Sequence, residues 1–183
     1  MICYLVRHGR DDDSLRGGWS KSPLTAEGVQ QVQRLSVQML SANMGLDIIY
    51  SSDLVRARQT ADILASAFSV PVIETPEFRE TNNGLLAGME HRFAEERFPG
   101  IYWSALRWEQ SYPEGESPCQ FYHRIADAWQ RFKNMVQSSE HNALLVTHGG
   151  VINVIQCIEH GIAYSNKSNP FPIGYAEMVA IEL

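Results

Sequence analysis

Two histidines sit at the same kind of place in this chain. Each follows an apolar run and is itself followed by glycine: Ile2-Cys3-Tyr4-Leu5-Val6 leads into Arg7-His8-Gly9, and Ala143-Leu144-Leu145-Val146-Thr147 into His148-Gly149-Gly150. An imidazole held in one tautomer is a nucleophile at neutral pH. An adjacent arginine offers a planar fork suited to a phosphoryl group. The pattern therefore points to an anion site containing a nucleophile. Cleavage of a phosphate ester by histidine also needs donors for the equatorial oxygens and an acid for the leaving oxygen.

Candidates for these parts occur in two more segments and in the glycines beside the histidines. In Ser51-Ser52-Asp53-Leu54-Val55-Arg56-Ala57-Arg58, both arginines fall in the first turns of a helix, whose positive end favours anions. Two residues apart they point different ways, so one can serve the site while the other is solvated. Phe78-Arg79-Glu80-Thr81-Asn82-Asn83-Gly84 supplies Glu80 as the leading acid, with Glu74 and Glu77 as rivals. The Gly149-Gly150 pair opens a helix and can offer backbone amides to the same phosphate. Gly9 would let the backbone approach a ligand closely.

The elements that must position these residues alternate between strand and helix, which predicts a three-layer α/β/α sandwich with a mostly parallel central sheet. Residues just past the carboxyl ends of neighbouring strands then share one crevice. A helix capped by Thr25 is expected to run to about Met44 and end at Gly45, with Val29, Val32, Leu35, Met39 and Leu40 as its stripe. Strands are expected at 47–50, 71–74, 143–147 and about 177–183. Further helices are expected from a Ser51-Ser52-Asp53 cap to Phe68, over 116–138, and from 148 to about 160. The segment 84–113 carries Phe93, Phe98, Tyr102, Trp103, Trp108 and Tyr112 without clean periodicity. It is either a lid folded over the site or an irregular excursion that completes the core.

Composition sets the frame. With 183 residues, 44% hydrophobic and 20% charged, the chain has the make-up of one globular domain spanning 1–183. A net charge of −6 argues against a nucleic-acid surface, and lysines occur only at 21, 133 and 167. Cys3, Cys119 and Cys157 are scattered and form no CxxC, which reads as reduced thiols of a cytoplasmic protein. Met1 to Val6 is too short for the apolar region of a signal peptide, and no run is long enough to span a membrane. No metal site is expected, because His91, His123, His141 and His160 lack partners at ligand spacing. The Asp11-Asp12-Asp13 run lies too far past the strand end for an aspartyl nucleophile with magnesium, and reads as a solvated loop.

Taken in order, LVRHG, SSDLVRARQTA, FRETNNG, PEGES and LLVTHGG resemble the histidine phosphatase, or phosphoglycerate mutase-like, superfamily over most of the chain. The resemblance implies that His8 becomes phosphohistidine, that Arg7, Arg56 and His148 form the phosphate pocket, and that Glu80 is the proton donor. It selects Arg56 over Arg58, because Arg56 directly precedes the alanine of the R-A-x-x-T-A stretch. It implies no metal and no cofactor. The threonine and asparagine often found after RHG are missing, and Ser14 is the residue placed to stand in for the asparagine. The acidic residue often found before the second glycine of the acid loop is also missing from Gly84-Leu85-Leu86-Ala87-Gly88.

The function implied is metal-independent hydrolysis of a small organic phosphate monoester. One alternative is a phosphoglycerate mutase, with Arg92, Arg97 or Arg107 receiving a second acidic group. The other is a regulatory phosphoprotein phosphatase or binding module.

Overall fold

Alternating burial in two adjacent strands explains why this chain makes layers. Leu5 and Leu145 turn to one face of the sheet, while Val6, Leu144 and Val146 turn to the other. The computed structural model describes residues 2–139 and 141–183; Met1 and Glu140 lie outside it. Five strands form the sheet: β1 (Ile2–Arg7), β2 (Ile48–Ser51), β3 (Val72–Glu74), β4 (Ala143–Thr147) and β5 (Met178–Glu182). Their order is β3-β2-β4-β1-β5, and only β5 is antiparallel, paired with β1.

Helices α1 (Ala26–Ser41) and α2 (Val55–Phe68) cover one face, burying Val32, Leu35, Met39, Ala57, Ala61 and Leu64 against Val6, Ile49 and Val146. Helices α4 (Pro118–Ser139) and α5 (Gly149–Glu159) cover the other. There Phe121, Ile125, Trp129, Phe132 and Val136 meet Leu5, Leu145, Val151 and Ile155. The three-layer α/β/α arrangement with a mostly parallel sheet is as expected.

Helix ends differ from expectation for local reasons. Thr25 caps α1, its Oγ1 accepting from the Gly28 amide at 3.0 Å, but the helix stops at Ser41 and not Met44. Asn43 in the left-handed region (φ 50°) ends it before Gly45 is reached. Leu40 falls off the stripe and is exposed. Helix α2 starts at Val55 with no side-chain cap, because the expected capping groups are used elsewhere. Asp53 takes a bidentate ion pair from Arg79, and Ser52 Oγ bonds His148.

The 84–113 segment carries only short helical turns. Leu86, Ala94, Leu106 and Tyr112 bury one another in a small core of their own, around the short helix α3 (His91–Arg97). Its inner side also walls a cavity beside Glu80. Among the described residues no helix is long and apolar enough to cross a membrane.

Candidate active site

Parallel pairing of β1 with β4 aligns Arg7 with Thr147, and the His8 amide donates to the Thr147 carbonyl at 3.0 Å. The next residue on each strand is therefore a histidine, and the two rings stand 5.1 Å apart between centroids. His8 Nδ1 lies 2.7 Å from the Gly9 carbonyl oxygen, a contact that requires the proton on Nδ1. Nε2 then carries the lone pair, and it accepts from Arg56 Nε at 3.1 Å. Burial, with the Arg56 charge beside it, holds the ring well below the ordinary histidine pKa, so it is neutral at pH 7.

His148 is fully buried behind His8. Burial, again with Arg56, depresses its pKa well below the usual value. Its Nε2 lies 2.9 Å from Ser52 Oγ, while Nδ1 is buried with no partner among the described residues. A hydroxyl donating to Nε2 leaves Nδ1–H as an uncommitted donor.

Arg56 is 2% exposed. Besides His8, it donates to Ser20 Oγ at 3.2 Å and the Gly18 carbonyl at 2.8 Å, and lies 3.4 Å from Asp11 Oδ2. Arg58 points the other way, to Asp62 and Glu74 at the surface. That pairing also removes Glu74 as a rival acid, and Glu77 is exposed. Arg7 donates to the Ile173 carbonyl at 2.7 Å and lies over the Tyr175 ring at 3.9 Å; its Nε is buried and unpaired among the described residues.

Glu80 is placed by its own backbone: its carbonyl accepts from Trp19 Nε1 at 2.6 Å and Arg124 Nη2 at 3.1 Å. Glu116, of the PEGES segment, pairs with Arg124 and takes the Asn82 amide at 2.7 Å, bracing the same loop. The Glu80 carboxylate accepts from the Thr81 and Gly150 amides at 3.0 and 3.1 Å. The missing Cβ of Gly150 leaves the Glu80 carboxylate its place, since a Cβ would lie 2.5 Å from Glu80 Oε1.

Arg7, His8, Arg56 and Glu80 line a polar cavity of about 260 Å³, with Asp11 and Tyr175. Through Glu80 and Gly18 it adjoins a larger one of about 580 Å³ walled by Tyr102, Trp103 and Tyr112, within the range of small-molecule sites.

Three expectations need correction. Ser14 is exposed and turned away, its amide and Oγ both bonded to Asp12 Oδ1 at 2.9 and 2.7 Å. A local turn satisfied by the nearer aspartate outcompetes a reach into the cavity. Gly149 lies against the Arg7 guanidinium, and Gly150 supplies the amide that meets Glu80. The missing Cβ of Gly9 admits α1, not a ligand, since it would lie 2.6 Å from the Gly28 carbonyl oxygen. His91 is a surface residue, as expected, and borders both cavities.

Tyr175 and Arg16 gave no sequence signal, and Asp11, expected in a solvated loop, is instead buried beside Arg56. Burial raises the Asp11 pKa against the opposing pull of Arg56. Tyr175 reaches the site because β5 runs back along β1, where the Arg7 amide bonds the Glu177 carbonyl and the Ala176 amide bonds the Arg7 and His8 carbonyls. Among the described residues no group of three or more His, Cys, Asp or Glu side chains is arranged to hold a metal ion.

This combination of fold and site recurs in known proteins. Residues 3–183 match the histidine phosphatase superfamily, branch 1. A protein of Proteus mirabilis described as probable phosphoglycerate mutase GpmB is 35% identical over 178 residues, covering 90% of this chain and 77% of that one. The crystal structure of alpha-ribazole phosphatase from Shigella flexneri superposes with a TM-score of 0.83 at 28% identity, covering 100% of this chain and 91% of that chain. Bacillus stearothermophilus YhfR gives 0.84 at 25% identity over the same shares. A chain with a histidine at the end of each central strand, matched to one family over nearly its whole length, belongs to the histidine phosphatase superfamily and is an enzyme of its phosphatase kind.

Proposed function

We propose that the chain hydrolyses small organic phosphate monoesters without a metal, through a phosphohistidine at His8. The observation that carries this reading is the His8 tautomer. The Gly9 carbonyl holds the proton on Nδ1 and leaves the Nε2 lone pair directed at Arg56, in a cavity that also holds Glu80. A phosphoryl group entering that cavity competes for the Arg56 donor and uncovers the nucleophile.

In the first step a bond forms from Nε2 to phosphorus as the bond to the ester oxygen breaks. Glu80 in its acid form gives that oxygen its proton. The Nδ1–H bond to Gly9 strengthens as positive charge develops on the ring. Arg7, Arg56 and the free Nδ1–H of His148 are the donors for the phosphoryl oxygens. In the second step the Glu80 carboxylate takes a proton from water, whose oxygen attacks phosphorus. The N–P bond breaks, releasing orthophosphate and neutral His8.

The test is turnover of an aryl phosphate in EDTA, with quenched samples assayed for a base-stable, acid-labile phosphoryl label. Label and turnover in the wild type, both lost in His8→Ala, are expected. Turnover abolished by EDTA, or retained by His8→Ala, overturns the mechanism.

The name carried by the Proteus mirabilis relative favours a second reading, in which a phosphoglycerate hydroxyl replaces water as acceptor. It uses the same residues. Isomerisation of a phosphoglycerate faster than its hydrolysis would decide for it.

A further inference from the structure

We propose that Arg16 binds a second anionic group of the substrate, so that the preferred substrates are phosphate monoesters carrying a carboxylate or another phosphate beyond an apolar or ring portion. This rests on the phosphatase reading above. Arg16 lines the larger cavity, which shares Glu80 with the His8 cavity and is otherwise walled chiefly by Tyr102, Trp103 and Tyr112. A substrate that places its phosphoryl group at His8 and its ester oxygen at Glu80 extends its remaining atoms into that space.

The state of the guanidinium singles it out. Arg16 Nε and Nη2 are both buried, and neither has a hydrogen-bond partner among the described residues. These two nitrogens form one edge of the planar group, the edge that grips a carboxylate or phosphate in bidentate fashion. Elsewhere in the molecule the same edge is occupied, with Arg79 Nε and Nη2 each bonded to an oxygen of Asp53. The residue as a whole is half-buried, but an N–H edge shut off from water without an acceptor is costly, which makes this edge a site for an anion supplied from outside. Glu95, the carboxylate stabilised by the Arg16 charge, is itself held by the Tyr102 hydroxyl and the Gly100 amide.

The group is also pre-organised. The Arg16 amide donates to the Met89 carbonyl at 2.8 Å, and its carbonyl accepts from the Gly88 amide at 2.7 Å, so the backbone is latched to the 84–113 segment. Its Cζ lies 4.3 Å from the Tyr102 ring centroid. A guanidinium fixed in this way gives up little freedom when it binds. Arg92, Arg97 and Arg107, the basic residues of the segment itself, are all exposed and line neither cavity beside Glu80.

The experiment compares kcat/KM for phenyl phosphate, the three carboxyphenyl phosphates and a benzenediol bisphosphate, in the wild type and in Arg16→Gln and Arg16→Lys. In parallel, binding of the corresponding phosphonates is measured by calorimetry. The wild type is expected to favour its best doubly anionic substrate over phenyl phosphate by about tenfold, the worth of one charge-assisted pair. Arg16→Gln is expected to bring that ratio to near one, chiefly through KM, and Arg16→Lys to keep part of it. Whichever second anion is favoured identifies the group read.

A wild type without preference, or an Arg16→Gln variant that keeps it, overturns the inference and leaves the phosphatase reading intact. Should a variant fail to fold, the wild-type ratios and phosphonate affinities still decide. Preference in phosphonate binding without any hydrolysis would sustain the Arg16 assignment and remove the phosphatase reading.

Discussion

Replacing Arg56 by Gln should damage stability and catalysis together, and a second substitution should pull the two apart. Arg56 is buried in contact with His8, Ser20, Gly18 and Asp11. Its loss leaves the buried Asp11 carboxyl without a counter-ion. Breaking such a pair from one side costs about 3–5 kcal/mol, and the retained Ser20 and His8 neighbours place this case near about 3. For a domain of this length, about 3 kcal/mol is a fall of about 6–12 °C in Tm. Losing a donor aimed at the transferring phosphoryl group should lower kcat by about 10²–10³.

Adding Asp11→Asn removes the orphaned charge, so at least half of the lost Tm should return while activity stays low. The pH dependence has a definite sign. Burial raises the Asp11 pKa in the folded state, and Arg56 opposes the rise. Without Arg56 the folded chain holds that proton more tightly than the unfolded chain does. Stability of the variant then falls as pH rises from about 3.9 through the raised pKa, and the deficit is larger at pH 7 than at pH 5. Thermal unfolding of the wild type, both single variants and the double variant at both pH values, with aryl phosphate turnover at pH 7, completes the cycle. If the double variant loses the sum of the two single losses, Asp11 and Arg56 are uncoupled and the reasoning fails.

Two further results are expected. Both His8 and His148 have folded-state pKa values well below 6.5, so the unfolded chain binds more protons below pH 6.5. Stability is therefore fully present above 6.5 and falls as pH drops below it, by up to about 1.4 kcal/mol per pH unit for each histidine; His148→Asn should show a shallower loss in a Tm–pH series, and parallel curves would refute this. Gly150→Ala should push the Glu80 carboxylate aside, since the new Cβ would lie 2.5 Å from Oε1, and lower kcat about 10²-fold in steady-state assays with Tm within about 2 °C. Unchanged kcat in a folded variant would mean that the position of Glu80 is not critical.

The residues that sequence reading located are those fixed by regular elements. His8 and His148 follow strands with clear apolar runs, and helical geometry sends Arg56 and Arg58 different ways, with the R-A-x-x-T-A resemblance picking out Arg56. Glu80 stands at a loop that two hydrogen bonds to its carbonyl hold in place, yet its segment still read as the acid loop. Ser14 was misplaced because spacing from RHG says nothing about a turn that Asp12 closes on itself. Tyr175 and Arg16 were illegible for another reason. One depends on the antiparallel return of β5 beside β1, the other on backbone bonds to Gly88 and Met89, and neither pairing leaves a local pattern in the chain.

The gap of 5.1 Å between the two imidazoles is close to the spacing of about 4.8 Å between hydrogen-bonded strands. The sheet itself is thus the ruler that sets the distance across the reacting centre, and its graduations are peptide bonds shared by every side chain the two strands carry. The walls of the neighbouring cavity come from segments outside the sheet. Such a construction divides inheritance in two: the wall-bearing loops can be exchanged to suit a new ester while the ruler, and the chemistry measured by it, passes on unaltered.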